Sequence, residues 1–199
     1  MAGRLIGTIP PFAHCVAVAS KVEASVFRIF LAGTIVLCAA APAAAGEVFG
    51  GLFIHDVDTP LTHSGVEGGA DLQLGYRWNP LMSDKGPQPY VFAAVNSAGE
   101  TNYAAAGLSF KFGDRIFIRP GVGIAVHTGS AANFDHPHHD HIDFGSRILF
   151  QPEIGIGARI GERATIEASW VHMSHAQILS RQNPGIDNFG VRLSWKLGR

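Results

Sequence analysis

The stretch DNFGVRLSWKL, residues 187–197, alternates apolar and polar side chains along its length. Its odd positions hold Phe189, Val191, Leu193, Trp195 and Leu197 together with Asp187, and its even positions hold Asn188, Gly190, Arg192, Ser194 and Lys196. Successive side chains of a β-strand point to opposite faces, so this stretch predicts a strand with one apolar and one polar face. In a soluble protein the apolar face packs in the core. In a small membrane barrel it faces lipid, and the polar face fills the lumen.

Seven further segments bring the number of predicted strands to eight. They cover residues 46–56, 67–78, 89–96, 103–112, 121–125, 153–160 and 165–174. Most alternate as residues 187–197 do, whereas 46–56 and 89–96 alternate poorly. Each segment is on the order of the ten residues that cross a bilayer at a tilt, and an even number of strands closes without an edge. The sequence therefore predicts an all-β fold, an eight-stranded antiparallel transmembrane β-barrel, with a lumen plugged by side chains of both charge signs.

The amino-terminal part of the chain has the features of a secretory signal. Residues 29–45 are apolar, follow Lys21 and Arg28, and end in APAAAG at 41–46. This pattern predicts cleavage after about Ala45, with residues 1–45 as a presequence and residues 46–199 as the barrel. A translation start further into the presequence stays open. Both cysteines, Cys15 and Cys38, fall in the presequence. Residues 46–199 carry a net charge of about −3, because three of the 15 basic and one of the 16 acidic residues lie before them, and this balance argues against a nucleic-acid partner.

Three polar residues share the apolar faces of the last two predicted strands. His172 and Ser174 have the parity of Ile166 and Trp170, and Asp187 has that of Phe189. With both termini on the periplasmic side, the longer connections at 57–66, 128–146 and 175–184 face outward, which places these three residues at the outer rim. Ionisable groups on a lipid-facing wall are costly, so two of them beside a serine indicate a functional site. The alternative is a set of interfacial polar residues that water reaches at a strand end.

The motifs around these residues resemble those of a known family. HMS at 172–174 and NPGID at 183–187 are similar to the lipid A 3-O-deacylase (PagL) family, as are RPGVGI at 119–124 and DFGSR at 143–147. The resemblance implies an eight-stranded barrel of the Gram-negative outer membrane that hydrolyses the ester-linked acyl chain at the 3 position of lipid A. It implies Ser174 as the nucleophile, His172 as the general base and Asp187, where the family usually has Glu, as the residue that orients His172.

The residue after the serine departs from the family pattern. The family commonly has Asn there, whose amide helps to bind the oxyanion, and this chain has His175. The donor is then His175, with Asn183 as a second support candidate, or a backbone N–H; without one, catalysis is impaired. The resemblance implies no cofactor and no metal. It implies lipid A or lipopolysaccharide as the substrate and an active site that faces the outer leaflet. The sequence leaves a homodimer open.

Three other interpretations stay open at the level of sequence. A non-catalytic structural or adhesive barrel could retain the motif, and a secreted soluble β-sandwich hydrolase would bury the apolar faces. The loop DHPHHDH at 135–141 contains imidazoles and carboxylates that bind transition metals. Residues 136–141 are also typical of a solvated loop, because no second set of ligands with structural spacing accompanies them.

Overall fold

The computed structural model describes residues 46–62, 65–132, 141–178 and 184–198, and all regular secondary structure in these ranges is β-strand. The strands are β1 (Gly46–Ile54), β2 (Ala70–Trp78), β3 (Gln88–Asn96), β4 (Tyr103–Ser109), β5 (Phe112–Gly113), β6 (Ile116–His127), β7 (Ile148–Arg159), β8 (Ala164–Met173) and β9 (Ile186–Lys196). None of the described residues forms a helix long and apolar enough to span a membrane. The predicted presequence with both cysteines, Asn183 and residues 136–140 lie outside the described ranges.

The strands form one closed antiparallel sheet. Strands that follow each other in the chain pair with each other, except that β4 and β5 both pair with β6, and β1 also pairs with β9. Segments β4 and β5 both pair with β6 and are separated only by residues 110–111, so together they make one strand of the wall. The nine segments therefore build the eight-stranded antiparallel barrel that the sequence predicted.

Two strands are longer than the sequence indicated. β6 and β7 each contain 12 residues, whereas the predicted segments were 121–125 and 153–160. Both extensions run through a proline, Pro120 in β6 and Pro152 in β7, a residue that is uncommon inside a paired strand. Here the wall continues through both prolines, which pair with Ile154 and Val122 on the facing strand, and each proline lacks the N–H that would complete the ladder.

The outer wall of the barrel is apolar. Ten of its aliphatic and aromatic side chains are each between 49% and 65% exposed: Leu52, Ile54, Leu72, Leu74, Val122, Ile124, Ile156, Val191, Leu193 and Trp195. A soluble protein rarely exposes so continuous an apolar surface, whereas a membrane barrel places it against lipid. The inversion, together with the single closed sheet, excludes the soluble β-sandwich.

The lumen is filled by charged and aromatic side chains. Three arginines (Arg77, Arg119, Arg192) and three glutamates (Glu47, Glu153, Glu167) are buried there as a network of ion pairs. Next to this network lies an aromatic cluster that includes Phe49, Phe53, Tyr90, Phe92 and Tyr103. The aromatic residues of β1 and β3 point inward, which explains why these two strands alternate poorly in the sequence.

Candidate active site

His172 and Asp187 face each other across the β8–β9 hairpin. The register of the hairpin makes them directly opposed Cα partners, and alternation points both side chains to the outside of the wall. The Nδ1 atom of His172 lies 2.8 Å from Oδ1 of Asp187. Because an ionised carboxylate only accepts hydrogen bonds, Nδ1 carries a proton, and in the neutral tautomer this leaves Nε2 as the acceptor.

Ser174 lies one residue beyond the end of β8 and is held there by β7. Its backbone forms an isolated bridge with Phe150, in which Phe150 N–H donates to Ser174 O at 2.7 Å and Ser174 N–H donates to Phe150 O at 3.0 Å. The Oγ of Ser174 lies 3.0 Å from Nε2 of His172. The structure therefore brings the three predicted residues into one hydrogen-bonded chain that runs from hydroxyl to imidazole to carboxylate.

Asp187 is fully buried by partners that the sequence did not identify. Trp170 donates its Nε1–H to Oδ1 at 2.7 Å, and the hydroxyls of Thr59 and Thr62 donate to Oδ2 at 2.5 Å and 3.0 Å. Trp170 has the same parity as His172, two residues before it, which is a signal that could have placed it at the site. The two threonines come from the β1–β2 connection, more than a hundred residues away in sequence, and no local pattern indicated them.

The backbone conformation before β9 requires a glycine at position 185. Its φ is +64°, in the left-handed region that side chains disfavour. A Cβ atom there would lie 3.0 Å from Cγ2 of Thr62 and 3.3 Å from Cε1 of His172. The glycine therefore lets the backbone pass close to the imidazole.

His175 occupies a different environment from Ser174. Its side chain is buried, and Nε2 lies 2.8 Å from the carbonyl oxygen of Phe144. Since a carbonyl only accepts, Nε2 carries a proton that it donates to Phe144. This bond commits the nitrogen to the β6–β7 connection, and the other support candidate, Asn183, lies outside the described residues.

Aromatic side chains surround the site on the outer wall. The rings of Trp170 and His172 have centroids 5.8 Å apart, and Trp170 stacks on Phe189 at 6.3 Å. Phe150 and Phe189 are both about 40% exposed. A substrate would therefore approach from the side of the barrel, over an apolar surface.

The connection that carries the threonines contains a buried charged cluster of its own. Nε2 of His55 lies 3.1 Å from Glu67, and Nδ1 lies 2.9 Å from Asp71. Burial opposes the charged imidazolium, but hydrogen bonds to Asp71 and Glu67 outweigh burial and raise the pKa of His55 to about 9. Burial likewise opposes ionisation of Glu67, whose pKa is nevertheless lowered by hydrogen bonds from His55, Ile142 N–H and Thr101.

The described residues contain no group of three His, Cys, Asp or Glu side chains that could hold a metal ion. His141 is the described member of the histidine-rich loop, and its Nε2 lies 3.6 Å from Asp143. The prediction about residues 136–140 falls outside the described ranges.

Comparisons with known proteins identify the family. The family model "Lipid A 3-O-deacylase (PagL)" matches residues 62–196. Similar solved structures include the outer membrane enzyme PagL (18% identity, TM-score 0.50, 76% of this chain and 99% of that chain), a de novo designed transmembrane β-barrel (13%, 0.43, 76% and 95%) and the Yersinia pestis outer membrane protein Ail (10%, 0.45, 76% and 98%). The comparison with curated proteins gave no match. The family model covers well over half of the chain, and the chain therefore belongs to the lipid A 3-O-deacylase (PagL) family.

Proposed function

We propose that this protein is an outer-membrane serine esterase that hydrolyses the 3-O-linked acyl chain of lipid A. The observation that carries the proposal is the hydrogen-bonded chain of Ser174, His172 and Asp187 on the apolar outer wall. Membership of the lipid A 3-O-deacylase family supplies the substrate class. The proposed location is the Gram-negative outer membrane, reached through a signal sequence in residues 1–45.

The proposed chemistry follows from the order of the hydrogen bonds from Ser174 to His172 to Asp187. Ser174 Oγ attacks the ester carbonyl carbon while its proton passes to Nε2 of His172, and Asp187 stabilises the resulting imidazolium. The tetrahedral intermediate collapses when His172 returns the proton to the departing sugar oxygen, which leaves an acyl group on Ser174. Water, deprotonated by His172, then hydrolyses the acyl-serine ester and releases the hydroxy fatty acid.

We assign oxyanion support to a backbone N–H beside Ser174, with the Asn183 side chain as the second candidate. The Nε2 atom of His175 already donates to Phe144, so His175 contributes by holding the segment after Ser174 in place. The N–H of Ser174 is bonded to Phe150 and is not the donor. A missing oxyanion donor costs about 10²–10³ in rate, so this assignment bears directly on turnover.

The end of the barrel at which the site lies supports an orientation of the protein in the membrane. His172, Ser174 and Asp187 lie at the end of the barrel that carries the β1–β2, β6–β7 and β8–β9 connections, which are the longer ones. In outer-membrane barrels that end faces outward. Lipid A of the outer leaflet would enter sideways, and the site is complete within one chain, so the homodimer is a proposal on which the chemistry does not depend.

A non-catalytic barrel is the second candidate function, favoured by His175 at the family's Asn position. The two functions are separated by expressing the chain in a Gram-negative host and analysing lipid A by mass spectrometry. The proposal predicts loss of one hydroxyacyl chain with the wild type and none with Ser174→Ala. Ser97→Ala, a change at an exposed serine of the β3–β4 turn, serves as the matched control and should behave as wild type. Unchanged lipid A with a wild-type barrel that shows heat-modifiable gel mobility would favour the structural barrel.

A further inference from the structure

The Asp187 carboxylate has an unusual number of donors for a residue on a membrane-facing wall. Oδ1 accepts from His172 Nδ1 and Trp170 Nε1, and Oδ2 accepts from the hydroxyls of Thr59 and Thr62. Two oxygens with about four lone-pair sites are thereby saturated. Its side chain has no exposed surface, so each donor offsets desolvation of the charge.

One tight turn delivers both threonine hydroxyls. Thr59 and Thr62 form an isolated bridge, with Thr62 N–H donating to Thr59 O at 3.2 Å. The N–H of Leu61 donates to Thr59 Oγ1 at 3.1 Å. This bond occupies a lone pair of Thr59 Oγ1 and leaves its proton for Asp187.

The turn is anchored to β9 by bonds that do not involve the threonines. Val57 N–H donates to Asp187 O at 2.7 Å, and Asp56 N–H donates to Asn188 Oδ1 at 2.9 Å. Oδ2 of Asp56 in turn accepts from three successive backbone N–H groups of residues 65–67 at 2.8–2.9 Å. The position of the turn over Asp187 is thus determined by the backbone on both of its sides.

We propose that Thr59 and Thr62 are positioning residues that act on His172 through Asp187. By fixing Oδ2 they set the plane of the carboxylate, so that Oδ1 stays aimed at Nδ1 of His172 and Nε2 stays aimed at Ser174. The β1–β2 connection is then a working part of the site, although it lies more than a hundred residues from the nucleophile in sequence. The inference rests on the proposed function and deepens it.

The test replaces each hydroxyl with a methyl group of the same shape. Thr59→Val and Thr62→Val should each lower kcat about tenfold, and the double variant about a hundredfold, with KM changed less than about twofold, since positioning of the base acts after substrate binds. These losses are smaller than the about 10⁴-fold effect known for a misoriented triad histidine. Thr59→Ser and Thr62→Ser, which keep the hydroxyl, should restore kcat.

A second readout separates positioning from a merely structural role. The intrinsic reactivity of Ser174 is that readout: without the threonine donors to Asp187, Ser174 should be labelled more slowly by a long-chain alkyl fluorophosphonate although the barrel folds like the wild type. Thr128→Val is the matched control, because Thr128 lies in the β6–β7 connection and bonds to Asn102 rather than to Asp187. A double variant that folds normally and keeps the wild-type kcat and labelling rate would overturn the inference.

Labelling of Ser174 by a long-chain alkyl fluorophosphonate tests the role of the threonines without depending on the proposed substrate. If the wild type leaves lipid A intact but labels at Ser174 faster than the double variant, the inference holds and the substrate assignment fails. If lipid A loss depends on Ser174 but the double variant equals the wild type in both assays, the inference fails and the proposed function stands. A folded wild-type barrel that neither labels nor turns over lipid A overturns both.

Discussion

Asp187 shows how a barrel accommodates a carboxylate on the wall that faces lipid. A charge on such a wall is unfavourable unless its hydrogen-bonding capacity is met, and here an imidazole, an indole and two hydroxyls meet it. The parity of His172, Ser174 and Asp187 was sufficient to predict that they share a face. The threonines could not be predicted, because the period of a strand carries no information about how a distant loop folds over it.

Gly185→Ala is expected to impair the site without unfolding the barrel. The φ of +64° strains any side chain, and the new methyl group would press on Thr62 and on the imidazole of His172. We expect a loss of at least about tenfold in kcat, since small displacements of a catalytic base cost that much or more. Steady-state deacylation by the purified variant measures this effect. Gly99→Ala is the control, because Gly99 also has a positive φ but has open space around its Cα; equal activities of the two variants would contradict the argument.

At the scale of elements, the site is assembled from the β8–β9 hairpin and two neighbouring segments, β7 and the β1–β2 connection. The β8–β9 register opposes His172 to Asp187, β7 holds Ser174 through Phe150, and the β1–β2 connection covers Asp187. The hairpin was predictable from alternation, because a period of two fixes which residues share a face. The contacts with β7 and with the β1–β2 connection were not predictable, since they depend on loop geometry that the sequence pattern does not encode.

The β1–β2 connection is also expected to make the stability of the barrel depend on pH. The folded pKa of His55, about 9, exceeds the unfolded value of 6.5. Its contribution to stability is therefore complete below about pH 6.5 and is lost as the pH rises through about 9, at about 1.4 kcal/mol per pH unit. Urea unfolding of the barrel in vesicles between these pH values should show this slope, and His55→Gln should remove it.

His141→Gln provides the control for that slope. His141 is partly exposed, and its Nε2 lies 3.6 Å from the carboxylate of Asp143. This variant should keep the wild-type pH dependence. A His55→Gln barrel whose unfolding free energy still falls as steeply as that of the wild type would show that other groups carry the effect.

At the scale of the whole molecule, the barrel is apolar on its outside and largely polar in its lumen, the reverse of a soluble protein. Its outside is an apolar belt, and its inside is a network of buried arginines and glutamates beside an aromatic cluster. Removing one partner of such a network would leave an uncompensated buried charge, so the ion pairs stabilise the packing of the lumen against the wall. A wall packed in this way suits the proposed site, whose side chains must keep their relative positions.

The alternation pattern predicted the number of strands better than their individual lengths. Eight strands could be counted because most alternate, but Phe49 and Phe92 point into the lumen and obscure the pattern of β1 and β3. β6 and β7 are longer than predicted and run through Pro120 and Pro152, residues at which a strand usually ends. Closure itself followed from the even number of strands.

The most direct measurement of the central claim uses the purified barrel in vesicles that contain lipid A, with the product analysed by tandem mass spectrometry. We predict that one hydroxyacyl chain leaves each lipid A molecule from the 3 position, and that Ser174→Ala abolishes the release although it folds like the wild type. Release of a chain from another position, or release that continues at the wild-type rate in Ser174→Ala, would contradict a serine esterase on the outer wall.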